Sequence, residues 1–218
     1  MMMEYRQILF DCDGVLVDSE RLTNTVFAEM LGELGLVFTL EDMFGQFVGN
    51  STATCMALIE EKLGRPVPGG FLADYKQRCK IVLERELKPV SGVRNVLERL
   101  SVPYGVASSG DHEKIRLTLG ITKLLPFFEG RIFSVTDVAH PKPAPDVFLY
   151  AARTLGASPA ETLVIEDTPI GVRAGVAAGM RVIGYAELMS TQRLTEAGAL
   201  TCVYSMDQLG QLLRLPGS

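Results

Sequence analysis

Two acidic residues separated by one position, in Asp11-Cys12-Asp13-Gly14, directly follow the short apolar run Ile8-Leu9-Phe10. Residues two apart on an extended chain project to the same side. A buried strand ending here would hold two carboxylates together, and ionising both is costly without a cation. A hard divalent ion such as magnesium resolves that conflict and prefers oxygen ligands. Gly14 lets the backbone turn sharply beside the pair. Taken alone, an Asp-x-Asp-Gly stretch is more often a capped turn, so the rest of the chain decides its meaning.

Three further stretches carry matching chemistry. Tyr104-Gly105-Val106-Ala107 runs into Ser108-Ser109-Gly110 ahead of a helical pattern. A hydroxyl with backbone amides at a helix start suits a phosphate oxygen. Ser108 is favoured because it ends the apolar stretch, while Ser109 and Gly110 offer backbone amides. Lys142 lies in His140-Pro141-Lys142-Pro143, where flanking prolines stiffen the loop and pre-aim a charged side chain. Thr162-Leu163-Val164-Ile165 delivers Glu166-Asp167 before Thr168-Pro169, a second acidic pair suited to closing a metal site. Nucleophile and acid, phosphate hydroxyl, lysine and metal carboxylates thus form one constellation, which matches what phosphoryl transfer requires. His112 reads as a surface residue of the helix after Asp111. His140 reads as a loop residue, with substrate contact as the alternative.

Positioning these groups requires strand ends. In open α/β sheets, ligands sit beyond the carboxyl ends of the strands. From Pro89 onward the pattern alternates: helix over 93–100, strand over 104–108, and helix over 111–119 with Asp111 as cap. Strand over 132–134, helix over 145–155 and strand over 162–165 follow. A helix over 170–178, a strand over 181–184 and a last strand near 202–204 complete the order. Such alternation implies a parallel sheet with right-handed crossovers. Residues 19–88 break it, showing helical patterns over 23–34, 51–63 and 71–87 and no strand. Phe27, Met30, Leu31 and Leu34 form a packing stripe on the first of these. We therefore expect residues 1–17 and 89–218 to form an α/β catalytic core and residues 18–88 an inserted helical cap. The 218 residues are 47% hydrophobic and 22% charged, an ordinary globular composition that can build a core without disulfides.

These motifs closely resemble the haloacid dehalogenase-like hydrolase superfamily, in its phosphatase and β-phosphoglucomutase branch with a helical cap between the first and second motifs. The first motif is Asp11-Cys12-Asp13-Gly14-Val15-Leu16-Val17-Asp18-Ser19 and the second is the strand ending at Ser108. The third is Lys142-Pro143-Ala144-Pro145-Asp146. The fourth is Val164-Ile165-Glu166-Asp167 with Gly171 and Ala174-Gly175. The resemblance implies a Rossmann-like three-layer core. It also implies that Asp11 attacks phosphorus to form an aspartyl-phosphate. Asp13 would protonate the leaving oxygen and then take a proton from water. Asp11, the backbone carbonyl of Asp13 and Asp167 would ligate Mg2+, with Glu166 a ligand or just behind the ligands. Ser108, Ser109 and Lys142 would bind the transferring phosphoryl group, and Asp146 would support the site from behind. Opposite protonation demands on neighbouring carboxylates are an acid/base signature. Cap closure would exclude bulk water.

The expected activity is a Mg-dependent phosphomonoesterase acting on a small metabolite of the sugar-phosphate, sugar-acid phosphate or phosphoglycolate class. A β-phosphoglucomutase-type phosphotransferase is the alternative. Such mutases usually carry a histidine where Thr23 stands and an arginine after a Gly-x-Ser turn, whereas Thr52 follows Gly49-Asn50-Ser51 here. The dehalogenases lack the second aspartate, so Asp13 argues against them. A non-catalytic binding protein conflicts with the intact motif set. Asn50, Lys76 and Arg78 are the candidate cap contacts. The net charge of -5 argues against a nucleic-acid partner. Apolar stretches too short to cross a bilayer argue against a membrane. Four scattered cysteines without a C-x-x-C pair fit free thiols in a reducing cytoplasm, and residues 1–6 show no secretory signal. A monomer is expected, with a dimer as the alternative.

Overall fold

The computed structural model of the chain describes residues 5–48, 50 and 52–216. Residues 1–4, part of the stretch read for a signal, and Gly49 and Ser51, from the turn compared with the mutases, lie outside the described residues. In chain order, β1 (Gln7–Phe10) leads to α1 (Glu20–Glu33), α2 (Leu40–Gln46), α3 (Thr52–Leu63) and α4 (Phe71–Glu86). Then come α5 (Val93–Arg99), β2 (Tyr104–Ser108), α6 (His112–Ile121), β3 (Ile132–Ser134) and α7 (Asp146–Leu155). The chain continues through β4 (Thr162–Glu166), α8 (Pro169–Ala177), β5 (Arg181–Tyr185), α9 (Thr191–Glu196), β6 (Thr201–Val203) and α10 (Met206–Leu212). It divides into two compact units, Met1–Asp18 with Lys88–Ser218, and Ser19–Leu87.

The larger unit is a parallel six-stranded sheet in the order β3-β2-β1-β4-β5-β6, with helices on both faces. Every residue of β1, β2 and β4 is buried, which is why these strands read as unbroken apolar runs rather than as alternating ones. Polar residues stand only at the ends of these strands: Gln7 Nε2 at the start of β1 donates to Thr162 Oγ1 at the start of β4 at 2.7 Å, and Ser108 and Glu166 close β2 and β4. The chain winds outward from β1 to β2 and β3, then returns to place β4 on the other side of β1. That reversal opens a crevice between β1 and β4, the place where doubly wound Rossmann-like sheets bind ligands.

Register decides what faces the crevice. Phe10 lies opposite Val106 of β2 and Ile165 of β4. The Asp11 N–H donates to the Ile165 carbonyl at 2.9 Å. Asp11, Ser108 and Glu166 therefore sit on three neighbouring strand ends, which run about 4.8 Å apart. Beyond β1 the backbone turns through Gly14 at φ +78°. The Leu16 and Val17 N–H groups both donate to the Cys12 carbonyl, at 2.9 and 3.1 Å. The Asp18 N–H donates to the Lys88 carbonyl and the Val90 N–H to the Leu16 carbonyl, both at 3.0 Å. The outgoing and returning ends of the helical insertion are thus clipped together.

In the smaller unit, the stripe read from the sequence forms its core. Val26, Phe27, Met30 and Leu31 of α1 pack with Met43, Phe47, Cys55, Ile59, Phe71 and Cys79, while Leu34 is only partly buried. Phe27 is central, its ring centroid 5.6 Å from Phe47, 6.0 Å from Phe71 and 5.0 Å from Tyr75. Helix α2 is not among the helices expected from the sequence. Its signal was a capping box: the Asp42 N–H donates to Thr39 Oγ1 at 3.1 Å, and the Thr39 N–H donates back to Asp42 Oδ2 at 2.9 Å. Helices α9 and α10 are likewise additions to the expected elements. Because Phe27 joins three aromatic rings in this core, Phe27→Ala should destabilise the helical unit by roughly 3–5 kcal/mol. Urea unfolding followed by circular dichroism measures this, and a loss below about 1 kcal/mol would place the core elsewhere.

Candidate active site

The site lies wholly in the larger unit and is organised around a buried lysine. Lys142 Nζ donates to Asp11 Oδ1 at 2.6 Å, to Glu166 Oε1 at 2.7 Å and to the Ala107 carbonyl at 3.0 Å. An ammonium has three donors, so all are committed. The same Nζ stands 4.6 Å from the centroid of the Phe148 ring on α7, a cation–π contact. The side chains are nearly dry, with 2% of Lys142, 10% of Asp11 and 1% of Glu166 exposed. Burial works to lower the Lys142 pKa, but Asp11 and Glu166 outweigh it and hold the ammonium above its ordinary value. Burial is also the largest influence on Asp11. Lys142 opposes it and Glu166 and Asp13 reinforce it, leaving the carboxyl pushed up to about 7.

Glu166 spends its second oxygen on the helix that follows. The Thr168 N–H and hydroxyl each donate to Glu166 Oε2 at 3.0 Å, and Thr168 caps α8 by accepting from the Gly171 N–H at 3.2 Å. Both carboxylate oxygens are therefore engaged by lysine and threonine, an arrangement suited to orienting Lys142. A Cβ on Gly171 would fall 1.6 Å from Glu166 Oε1, so the carboxylate occupies space that only glycine leaves open.

Asp13 turns toward another cation. Lys114 Nζ on α6 donates to Asp13 Oδ2 at 2.7 Å. Lys114 is not among the residues that the motifs single out. Its signal was a lysine in the first turn of a helix, where the helix dipole disfavours positive charge. Cys12, between the two aspartates, points into the core instead, with its thiol 3.7 Å from Thr118 Oγ1. Ser108 is buried, and its Oγ accepts from the Gly110 N–H at 3.1 Å. The Ser108 hydroxyl proton has no acceptor among the described residues. Ser109 is exposed. The Gly110 carbonyl is held by Ser134 Oγ at 2.7 Å, which ties the Ser108–Gly110 turn to the end of β3.

Asp167 is buried against the turn after β1: a Cβ on Gly14 would fall 2.0 Å from Asp167 Oδ2. Gly14 thus leaves a cradle in which the first and fourth motifs meet. Among the described residues, no group of three or more His, Cys, Asp or Glu side chains is arranged to hold a metal. The expected ligand set needs only two side chains, Asp11 and Asp167, with the Asp13 carbonyl as a third oxygen. Hard oxygen donors of this kind suit a magnesium-like ion. The buried charges favour one as well, because two carboxylates share a single ammonium.

The remaining residues singled out in the sequence find other work. His112 Nε2 meets Asp137 at 2.8 Å, and His140 Nδ1 meets Asp146 at 3.0 Å, so the side chain of Asp146 pairs with His140 rather than backing the site. Arg78 pairs with Glu33 and Asp74, binding α4 to α1. Lys76 and Asn50 are exposed, and Asn50 Nδ2 donates to the Gln46 carbonyl. Thr23 Oγ1 donates to the Ser19 and Glu20 carbonyls of its own helix, at 3.0 and 3.4 Å. No helix among the described residues is long and apolar enough to cross a membrane.

Comparison with known proteins agrees with this geometry. A family model described as haloacid dehalogenase-like hydrolase matches residues 8–185. A 6-phosphogluconate phosphatase from Escherichia coli is 26% identical over 83% of this chain and 82% of its own. A crystal structure of a haloacid dehalogenase-like protein from Agrobacterium tumefaciens is 33% identical, with a TM-score of 0.90 over 96% of this chain and 98% of the other. A hydrolase of the same family from Deinococcus radiodurans, solved with bound phosphate and sodium, is 26% identical, with a TM-score of 0.84 over 99% of each chain. The chain belongs to the haloacid dehalogenase-like hydrolases, and among them to the phosphatases, the hydrolases of phosphoric monoesters.

Proposed function

We propose that this phosphatase acts on a small phosphorylated metabolite, of the sugar-phosphate, sugar-acid phosphate or phosphoglycolate class, through a covalent intermediate on Asp11. One observation carries the reading. Asp11, Lys142 and Glu166, drawn from three separate stretches, close into a buried hydrogen-bonded set at the crevice between β1 and β4. The relative that acts on 6-phosphogluconate supports the substrate class.

The chemistry follows from the residues. An oxygen of Asp11 attacks phosphorus while the bond to the ester oxygen breaks, and Asp13 gives that oxygen its proton. Water then attacks the aspartyl-phosphate and Asp13 takes the water's proton. The bond from phosphorus to Asp11 breaks, and inorganic phosphate leaves. Lys142 holds the attacking carboxylate in one orientation. For Lys142 also to bind the phosphoryl group, as the motif implies, its ammonium must give up one present acceptor. The Ser108 hydroxyl and the Ser109 amide offer donors to phosphoryl oxygens, whereas the Gly110 N–H, also expected to do so, is already given to Ser108 Oγ. Asp11, Asp167 and the Asp13 carbonyl would hold Mg2+, which when bound supplies positive charge that favours ionised Asp11 and neutralises phosphate oxygens.

A screen of phosphate esters should show inorganic phosphate released from sugar and sugar-acid phosphates with magnesium present. Release should stop in EDTA and in Asp11→Asn, and turnover persisting in Asp11→Asn would defeat the nucleophile assignment. Isomerisation of β-glucose 1-phosphate with a bisphosphate activator, without free phosphate, would favour the mutase instead.

The electrostatics predict a pH effect on stability. Folded Asp11, raised to about 7, keeps its proton in a range where the unfolded chain, near 3.8, has lost it. In EDTA, the group's contribution should therefore fall as pH rises from about 4 through 7. Asp11→Asn cannot titrate, so thermal melts in EDTA should show it gaining on the parent across that window. Parallel curves would remove the buried-charge account. Gly171→Ala should displace the Glu166 carboxylate and lower kcat by roughly 10–100-fold, as losses of supporting contacts behind a site commonly do. An unchanged kcat would show that Lys142 needs no help from Glu166.

A further inference from the structure

We infer that Lys114 is the positioning residue for the proton-transferring Asp13, an assignment that rests on the phosphatase reading above. The contact is direct, with Nζ 2.7 Å from Oδ2, and crosses 101 residues of sequence. Lys114 is also fixed from its own side, because its backbone N–H donates to Oδ1 of the capping Asp111 at 2.8 Å. The base of the side chain is thereby set on the first turn of α6. The second lysine of the site is committed to Asp11 and Glu166, so Lys114 and Lys142 divide the two aspartates between them.

The chemistry gives that division a purpose. When Asp13 passes its proton to the ester oxygen, it becomes an anion beside an anionic phosphoryl group, and the Lys114 ammonium offsets the new charge. In the second half-reaction the same contact holds the carboxylate in place to accept a proton from water. A protonated Asp13 can carry its hydrogen on Oδ1 and still accept from Lys114 through Oδ2, so the contact survives both protonation states. The geometry thus lets one lysine fix the rotation of Asp13 throughout the cycle. The Lys114 side chain is 41% exposed, so the pair adds little to folding and its removal leaves the protein intact.

The test uses two esters that differ in their need for a proton. A sugar phosphate expels an alkoxide and requires one, whereas p-nitrophenyl phosphate expels a stable phenolate. The quantity read is kcat/KM, which reports only the steps through release of the alcohol. Lys114→Met should lower kcat/KM for the sugar phosphate by about tenfold or more, within the range that general acid catalysis supplies. The value for p-nitrophenyl phosphate should change less than about threefold, with the sugar-phosphate loss falling in kcat rather than in KM. Lys114→Arg should recover most of that loss, and Asp13→Asn should show the same discrimination between esters, more strongly. Equal losses with both esters, or no loss with either, would overturn the assignment while leaving the phosphatase reading standing. A loss confined to KM would also overturn it, making Lys114 a substrate-binding group. If the unaltered protein releases phosphate from neither ester, the phosphatase reading fails and this inference falls with it.

Discussion

Two buried carboxylates, Asp11 and Glu166, share one buried ammonium, and much of the site is arranged around that imbalance. The set carries one more negative charge than positive in surroundings that are almost dry. Such a cluster is weak evidence for stability, since removing three charges from water costs more than most ion pairs return. It makes sense as a device for holding the Asp11 carboxylate still and short of positive charge, as the proposed attack on phosphorus requires. The proposed metal ion would complete it. The raised Asp11 carboxyl expresses the same imbalance in terms of protons.

The fold meets this demand through strand order and glycine. Placing β1 between β2 and β4 brings Asp11 beside the Ala107 carbonyl and Glu166 without any long loop having to reach across. Two glycines then make room for carboxylates, Gly14 for Asp167 and Gly171 for Glu166. In both places a methyl group would collide with an acidic side chain, so close approach requires glycine whatever the local backbone prefers. At Gly14 the positive φ adds a second reason. Glu166 also links the site to the scaffold, because its other oxygen is fixed by Thr168 at the first turn of α8. The dry lysine, the strand end and the helix start are thereby joined through one side chain.

The helical unit solves a different problem. It hides an aromatic cluster centred on Phe27, with Arg78 spanning α4 and α1 at the surface. Its entry and exit segments are hydrogen-bonded to one another within the larger unit, through Asp18 with Lys88 and Leu16 with Val90. An insertion clipped in this way interrupts the chain without breaking the sheet. Loop-closure cost grows only slowly with the length of the inserted segment.

Much of this was legible along the chain because it is local. The strands at 104–108 and 132–134 carry unbroken apolar runs, and their bounds agree with the structure. Asp111 capping and the arrival of acidic pairs at strand ends are also signals that a few neighbouring residues carry. The short helix α2 was missed because seven residues give too little periodicity, although its capping box was present. By itself, the sequence determined which residue types stand at which strand ends, and hence that phosphoryl chemistry was to be expected. The tertiary structure alone decided the pairings: Lys142 with Asp11 and Glu166, and Lys114 with Asp13. The physical reason is that strand order, register and crossover direction bring together side chains up to 131 residues apart, and hydrophobic periodicity records none of those distances.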